Sequence, residues 1–251
     1  RGAGHGRLVG CPHSTVRFWD LRYFFDPRSY DRSRAFPLPR PDQVALNGAV
    51  AMREYLVGGY PQDSLYEVEA LRYLDLLRWS SVQWHNAKPL GQSRDILIFT
   101  DYLEANTRGQ LRLLEEALPS LPIQGRFFVK PHPACPVRPD DYPRLPMTVT
   151  MDSVGKLLSE CDIAYTSEMT SVAVEAYCAG IPVVSVRDPN TFNLSPLRGR
   201  SGVHFVSTPA ELSKAFGIAA NTSRQERAAR EFFSLDADLP KWKLLLADVS
   251  R

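Results

Sequence analysis

Between residues 126 and 186 the chain repeats one pattern: a short apolar run, a polar cluster, a helix-forming segment, then the next apolar run. The runs are residues 126–130 (RFFVK), 162–165 (DIAY) and 182–186 (PVVSV), and the segments between them include a short helix over 153–161 and another that opens after Tyr165 and stops at Gly180. Parallel strands buried on both faces read as continuous apolar runs, and they need long crossovers, usually helices, between them. The pattern therefore predicts an α/β fold around a parallel sheet.

Both polar clusters fall where parallel strands end, the edge at which open α/β sheets bind ligands. After the second run, Thr166 or Ser167 is placed to cap the helix, and Thr170 and Ser171 add hydroxyls in its first turn, beside backbone N–H groups without intrahelical partners. Such a terminus attracts phosphate, although the same residues suit a well-capped core helix with no ligand. Gly180 at the left-handed C′ position and Pro182 beyond it end the helix. After the first run, His132 stands between Pro131 and Pro133, which lack N–H groups and restrict the backbone to a rigid extended elbow. A positioned imidazole and a hydroxyl-rich helix start on one sheet edge can grip one phosphate from two sides.

Lys130-Pro131-His132-Pro133, followed by Tyr165-Thr166-Ser167-Glu168-Met169-Thr170-Ser171 and Glu175, resembles the His-Pro and Ser/Thr motifs of GT-B glycosyltransferases that use CMP-sugars. These include bacterial sialyl-, polysialyl- and Kdo-transferases of capsule and lipopolysaccharide assembly. The stretch from His13 through Trp19 to Phe24, and Asn193-Leu194-Ser195-Pro196-Leu197-Arg198-Gly199, further resemble a bacterial surface-carbohydrate biosynthesis family of this kind. The resemblance implies a GT-B type fold, with a Rossmann-like parallel-sheet carboxy-terminal domain joined to the tail of an amino-terminal Rossmann-like domain. It also implies that Lys130, His132, Pro133, Ser167, Thr170, Ser171 and Glu175 bind the donor nucleotide and phosphate. Glu168 and Glu175 stand one position closer together than the glutamate pair of retaining GT-B enzymes, still on one helical face.

Upstream, residues 7–10 (RLVG) read as the end of a strand that delivers Cys11-Pro12-His13-Ser14-Thr15 to a loop. Phe18, Trp19, Tyr23, Phe24 and Phe25 crowd around Asp20 and Arg22, either as packing for a long loop or as a wall for a sugar. His13 and Asp20 are the residues here suited to proton transfer, and with His132 they form the candidate catalytic set; a paired Asp20–Arg22 bridge is the alternative. Arg17, Arg22 and Arg198 are candidate donor or acceptor contacts. Residues 43–46 (QVAL) predict a strand, followed by a helix after Asn47-Gly48. A second helix is expected from Asp63 or Ser64, with Leu65, Val68, Leu71, Tyr73, Leu74 and Leu77 at helical spacing. Further elements are a strand over 95–100, a helix over 107–118, a proline-rich loop over 134–146, a strand over 203–206 and a capping box at Thr208-Pro209-Ala210-Glu211.

These elements divide the chain into the end of an acceptor-side Rossmann-like domain (1–79), a linker (80–94), a nucleotide-sugar donor domain (95–220) and closing helices that pack back across the junction (221–251). With 251 residues and 44% hydrophobic content the chain can bury a full core. The first forty residues carry eight arginines against Asp20, Asp26 and Asp31, while the whole chain has a net charge of only +2. That start suits an anionic acceptor or peripheral association with a membrane surface; with no recognition motif and no overall basic balance, nucleic-acid binding is the weaker reading and no nucleic-acid partner is expected. The cysteines show no C-x-x-C spacing and read as reduced packing residues. No apolar run reaches the length of a membrane span, and the start at Arg1 without methionine implies a piece of a longer protein. The expected location is the cytoplasm or the inner face of the cytoplasmic membrane. Residues 126–186 hold no Asp-x-Asp pair, and no Walker loop or H-E-x-x-H motif occurs, so metal-independent chemistry without a cofactor is expected. The combined reading is a glycosyltransferase of bacterial surface polysaccharide biosynthesis that passes a sugar, CMP-activated, to a glycan or glycolipid acceptor. Alternatives are a CDP-glycerol-type polymer phosphotransferase and a non-catalytic nucleotide-binding scaffold.

Overall fold

The structure, a computed structural model, describes residues 6–31, 33, 39–77, 92–168, 170–222 and 229–249. The chain divides into two compact units, Arg1–Arg78 with Ala228–Arg251, and Trp79–Arg227. Among the described residues, no helix is long and apolar enough to cross a membrane.

In the first unit, β1 (Val9–Gly10), β2 (Gln43–Leu46) and β3 (Leu65–Glu67) form a parallel sheet in the order β1-β2-β3, with helix α1 (Ala49–Val57) between β2 and β3. All of β2 is buried, as its continuous apolar run requires. The helix expected from Leu65 does not form before Leu76, where the first helical residues appear. Leu65 to Glu67 instead extend the ladder of β2, pairing Val44 with Leu65 and Leu46 with Glu67, and Leu71–Tyr73 make one 3-10 turn. Of the residues at helical spacing, Leu65, Val68 and Tyr73 are buried while Leu71 is 52% exposed, so the apolar spacing does not mark one buried helical face. The backbone groups on the open side of β2 needed partners, and that need outweighed local propensity.

The aromatic cluster divides in two. Tyr23 stacks on Tyr55 at 4.4 Å and Phe25 meets Tyr60 edge-on at 4.8 Å, so these rings fix the loop onto α1 and the turn that follows it. Phe18 stacks on Trp19, which lies tilted against Phe24 and is 57% exposed.

The second unit is built from β4 (Arg94–Phe99), α2 (Glu104–Ala117), β5 (Gly125–Lys130), β6 (Met147–Val149), α3 (Val154–Glu160), β7 (Ile163–Ser167), α4 (Val172–Cys178), β8 (Val183–Val186), β9 (Val203–Val206) and α5 (Pro209–Ala220). The strands form one all-parallel sheet in the order β6-β5-β4-β7-β8-β9. Leu111 and Leu114 of α2 and Leu212 and Phe216 of α5 share one core with Ile96, Ile98 and Tyr165 of the sheet. The edge strand β6 was not foreseen. Its three residues follow the proline-rich segment, whose Tyr142 and Leu145 are buried in the same core. Thr208 and Glu211 form the expected reciprocal capping box at α5.

The closing residues belong to the first unit. Helix α6 (Pro240–Val249) begins over buried Glu69, whose carboxylate accepts the N–H groups of Lys241 (2.9 Å) and Trp242 (3.1 Å). The charge thereby satisfies amides of the helix start that have no intrahelical acceptor. An Asp-x-Asp pair does occur just before this helix, at Asp236 and Asp238. There the Asp238 N–H donates to the Asp236 carboxylate at 2.9 Å, so the pair shapes a turn.

Candidate functional site

Counted within its own sheet, the second unit has the strand order 3-2-1-4-5-6, with the direction of winding reversing between β4 and β7. Connections leave such a point toward opposite faces and open a crevice beyond the carboxyl ends of the strands. Thr100 and Asp101 follow β4 there, Ser167 ends β7, and His132 lies just past β5 next to them.

The polar groups at this edge are ordered by one another. The His132 backbone N–H donates to Thr100 Oγ1 at 3.1 Å, pinning the Pro131–Pro133 elbow to the end of β4. The ring's Nδ1 accepts the Ala134 N–H at 3.1 Å, so the neutral imidazole carries its proton on Nε2 and presents a donor. Asp101 is buried, with Oδ1 accepting the Leu103 N–H at 2.9 Å and Oδ2 accepting the Ser167 hydroxyl at 2.9 Å. An ionised carboxylate only accepts, so the Ser167 proton is committed to Asp101 and only lone pairs remain for a ligand.

Helix α4 starts later than expected. Thr166 and Ser167 are strand residues, and the helix begins at Val172 with Ser171 at the N-cap. Thr170 turns the first amides inward, its Oγ1 accepting the Val172 N–H (3.4 Å) and its carbonyl the Ala173 N–H (3.3 Å). The Thr170 hydroxyl proton is left to donate elsewhere. This short helix supplies fewer open amides than the sequence implied, which shifts weight for anion binding to His132 Nε2 and the hydroxyls.

Lys130 reaches back to the Met151 carbonyl at 3.2 Å, Pro133 is exposed, and Glu175 lies half-buried on α4. Arg198 is exposed on the loop after β8. That loop is tied to the end of β7 by Glu168, whose Oε1 accepts the Leu194 N–H at 2.9 Å. In the first unit, His13 is exposed just beyond β1, on a loop whose Ser14 carbonyl accepts from Asn47 Nδ2 at 3.1 Å. Arg17 is half-buried further along.

Asp20 takes the paired alternative. Its oxygens accept Arg22 Nε at 2.8 Å and Nη2 at 2.5 Å. Burial pushes its pKa up, but the hydrogen bonds from the Arg22 side chain and backbone outweigh this and hold it below the usual carboxylate range. So occupied, Asp20 is a poor proton acceptor, and Arg22 is spent on the same pair.

Sequence reasoning did not assign Thr100, Asp101 or Glu168 to the site. The signal for the first two was their place at the polar tip of the apolar β4 run, the rule that singled out His132. Among the described residues no His, Cys, Asp and Glu side chains cluster as a metal site.

Glu168 gives a pH prediction. Burial raises its pKa above the ordinary 4.5, outweighing the Leu194 N–H and the charge of Arg187. Between 4.5 and the raised value the folded state holds the extra proton, so stability falls as pH rises through that window. Glu168→Gln keeps an acceptor for Leu194 and removes the fall. Melting curves between about pH 4 and pH 8 should show the variant gaining on wild type toward the alkaline end; a constant difference would remove Glu168 as the cause.

No family model matches the chain, and no curated protein matches it. Solved structures do. Anabaena HepE in complex with UDP and glucose is 12% identical over 97% of this chain and 71% of its own, with a TM-score of 0.50. A Listeria monocytogenes protein assigned as a UDP-N-acetylglucosamine 2-epimerase is 15% identical over 97% of this chain and 67% of its own, at 0.52. Staphylococcus aureus MnaA, solved with UDP, is 11% identical over 83% of this chain and 60% of its own, at 0.51. Together with the all-parallel sheets, these likenesses establish a GT-B type α/β fold.

Proposed function

We propose that the chain carries the donor side of a glycosyltransferase of bacterial surface polysaccharide biosynthesis, one that draws its sugar from a pyrimidine-nucleotide donor. The observation that carries this reading is the His132 elbow, pinned to Thr100 at the carboxyl ends of the strands with its Nδ1 accepting from Ala134, so that Nε2 carries the ring proton at the edge from which the Thr170–Ser171 segment also leaves. As the bond between sugar and phosphate breaks, negative charge gathers on the leaving phosphate. Donors already in place at that point lower the barrier without reorganising. Asp101 acts as a positioning residue, holding the end of β7 through Ser167. His13 is the better candidate to take the acceptor's proton, because Asp20 is held by Arg22.

The nucleotide has two sources of support. The Lys130–Ser171 motifs resemble CMP-sugar enzymes, whereas the HepE and MnaA structures contain UDP. The acceptor is proposed to be a glycan or glycolipid. Incubation of the protein with CMP-sugars, UDP-sugars and CDP-glycerol in the presence of glycan acceptors tests the reading. Release of CMP or UDP with sugar transfer is expected. Glycerol-phosphate transfer, or nucleotide binding without turnover, would overturn it.

A further inference from the structure

A cavity of about 520 Å3 lies in the second unit beside the switch-point crevice, between the exposed face of α2 and the loop after β5. That is within the roughly 300–1,000 Å3 of small-molecule sites. One wall carries Arg108 and Arg112, a turn apart on α2, and the other carries Asp141 and Tyr142. Arg108 is ion-paired with Glu104, while Arg112 has no ion pair among the described residues. Arg112, itself exposed, therefore offers its guanidinium to the cavity for a charge-assisted contact. Tyr142 is largely buried, and burial pushes its phenol further from ionisation against the opposing pull of Arg108 and Arg112. It stays a neutral O–H donor. Asp141 supplies acceptors for hydroxyl groups.

A site that pairs one open cation with carboxylate and phenol partners suits an anion that also bears hydroxyls better than it suits a bare ion. Tyr102 forms part of the wall and also touches the edge of the His132 ring, with centroids 6.1 Å apart, so an occupant would lie next to the proposed donor phosphate. We propose that this cavity is a second carbohydrate subsite that takes a sugar carrying a carboxylate or a phosphate. The choice of a sugar rests on the glycosyltransferase reading; the choice of an anion rests on Arg112.

The test is calorimetric titration of the wild-type chain and of Arg112→Gln with glucose 6-phosphate, glucuronate, glucose and inorganic phosphate, alongside UDP and CMP. At least one acidic sugar should bind wild type, with glucose and inorganic phosphate weaker by about tenfold or more, the scale of one charge-assisted contact. Arg112→Gln should lose a similar factor for the acidic sugar alone and leave nucleotide affinity unchanged. The preferred acid, phosphate or carboxylate, identifies the group recognised. The proposal is overturned if neither acidic sugar binds, if glucose or inorganic phosphate binds as tightly, or if Arg112→Gln binds the acid as well as wild type. Nucleotide binding that persists in those cases leaves the donor reading standing.

Discussion

His132→Ala is expected to lower donor turnover about a hundredfold or more, the usual scale for removing one positioned donor to developing charge. Stability should barely change. The elbow is held by backbone groups, the His132 N–H on Thr100 and the Cys135 N–H on the His132 carbonyl at 2.8 Å, and the prolines restrict it further. Among the described residues the ring accepts the Ala134 N–H, at an exposed position where water can replace it. His132→Gln provides a control, since a side-chain amide can restore an N–H near the Nε2 position and should recover part of the rate. Ser171→Ala should be milder than His132→Ala, because the other donors remain. The measurement is nucleotide release by wild-type and variant proteins, with melting temperature as the folding control. Near-normal turnover by a stable His132→Ala protein would make the imidazole structural.

Gly48→Ala is expected to destabilise the first unit by about 3 kcal/mol, at the upper end of overpacking changes. Gly48 has φ +157° and lies under the Phe232–Phe233 backbone. A Cβ there would run into the Phe232 carbonyl and lie 2.8 Å from Phe233 Cα, and neither is a flexible side-chain end that could yield. The approach is needed because Ser234 ties the closing segment to this strand end, its N–H donating to the Asn47 carbonyl at 2.9 Å and its carbonyl accepting from Ala70 at 2.8 Å. Asn47 in turn holds the loop that carries His13. A fall in melting temperature of roughly 10 °C or more is expected by calorimetry. Gly109→Ala is the opposite case: nothing lies within 4 Å of its added Cβ, and it sits in the middle of α2. That change should stabilise by about 0.5–1 kcal/mol. Equal effects of the two substitutions would contradict the packing described.

What could be read from the sequence was what short-range chemistry decides. Thr208 to Glu211 form a capping box in four consecutive residues, Gly180 takes φ +77° after α4, and residues 43–46 form a strand whose apolar run Val44–Leu46 follows Gln43. Leu65 to Leu77 misled because its apolar spacing mixes buried residues such as Leu65, Val68 and Tyr73 with the exposed Leu71, so the period did not report one helical face. Only the unpaired side of β2, distant in sequence, selected the strand. The site divides in the same way. Two prolines beside His132 mark the elbow, and the hydroxyls before α4 mark the second half. The direction of the Ser167 proton was not legible, because its acceptor, Asp101, is 66 residues away. Likewise the pairing of Asp20 with Arg22 could be named as an alternative, but only the geometry shows that both carboxylate oxygens accept from the guanidinium.

The most direct measurement is a crystal structure of the chain with UDP or CMP bound. The expected result is a nucleotide spanning the crevice between β4 and β7, with a phosphate oxygen at hydrogen-bond distance, about 2.7–3.2 Å, from His132 Nε2. A nucleotide seated at the amino ends of the strands, or one in the crevice whose phosphate lies away from His132, would contradict it.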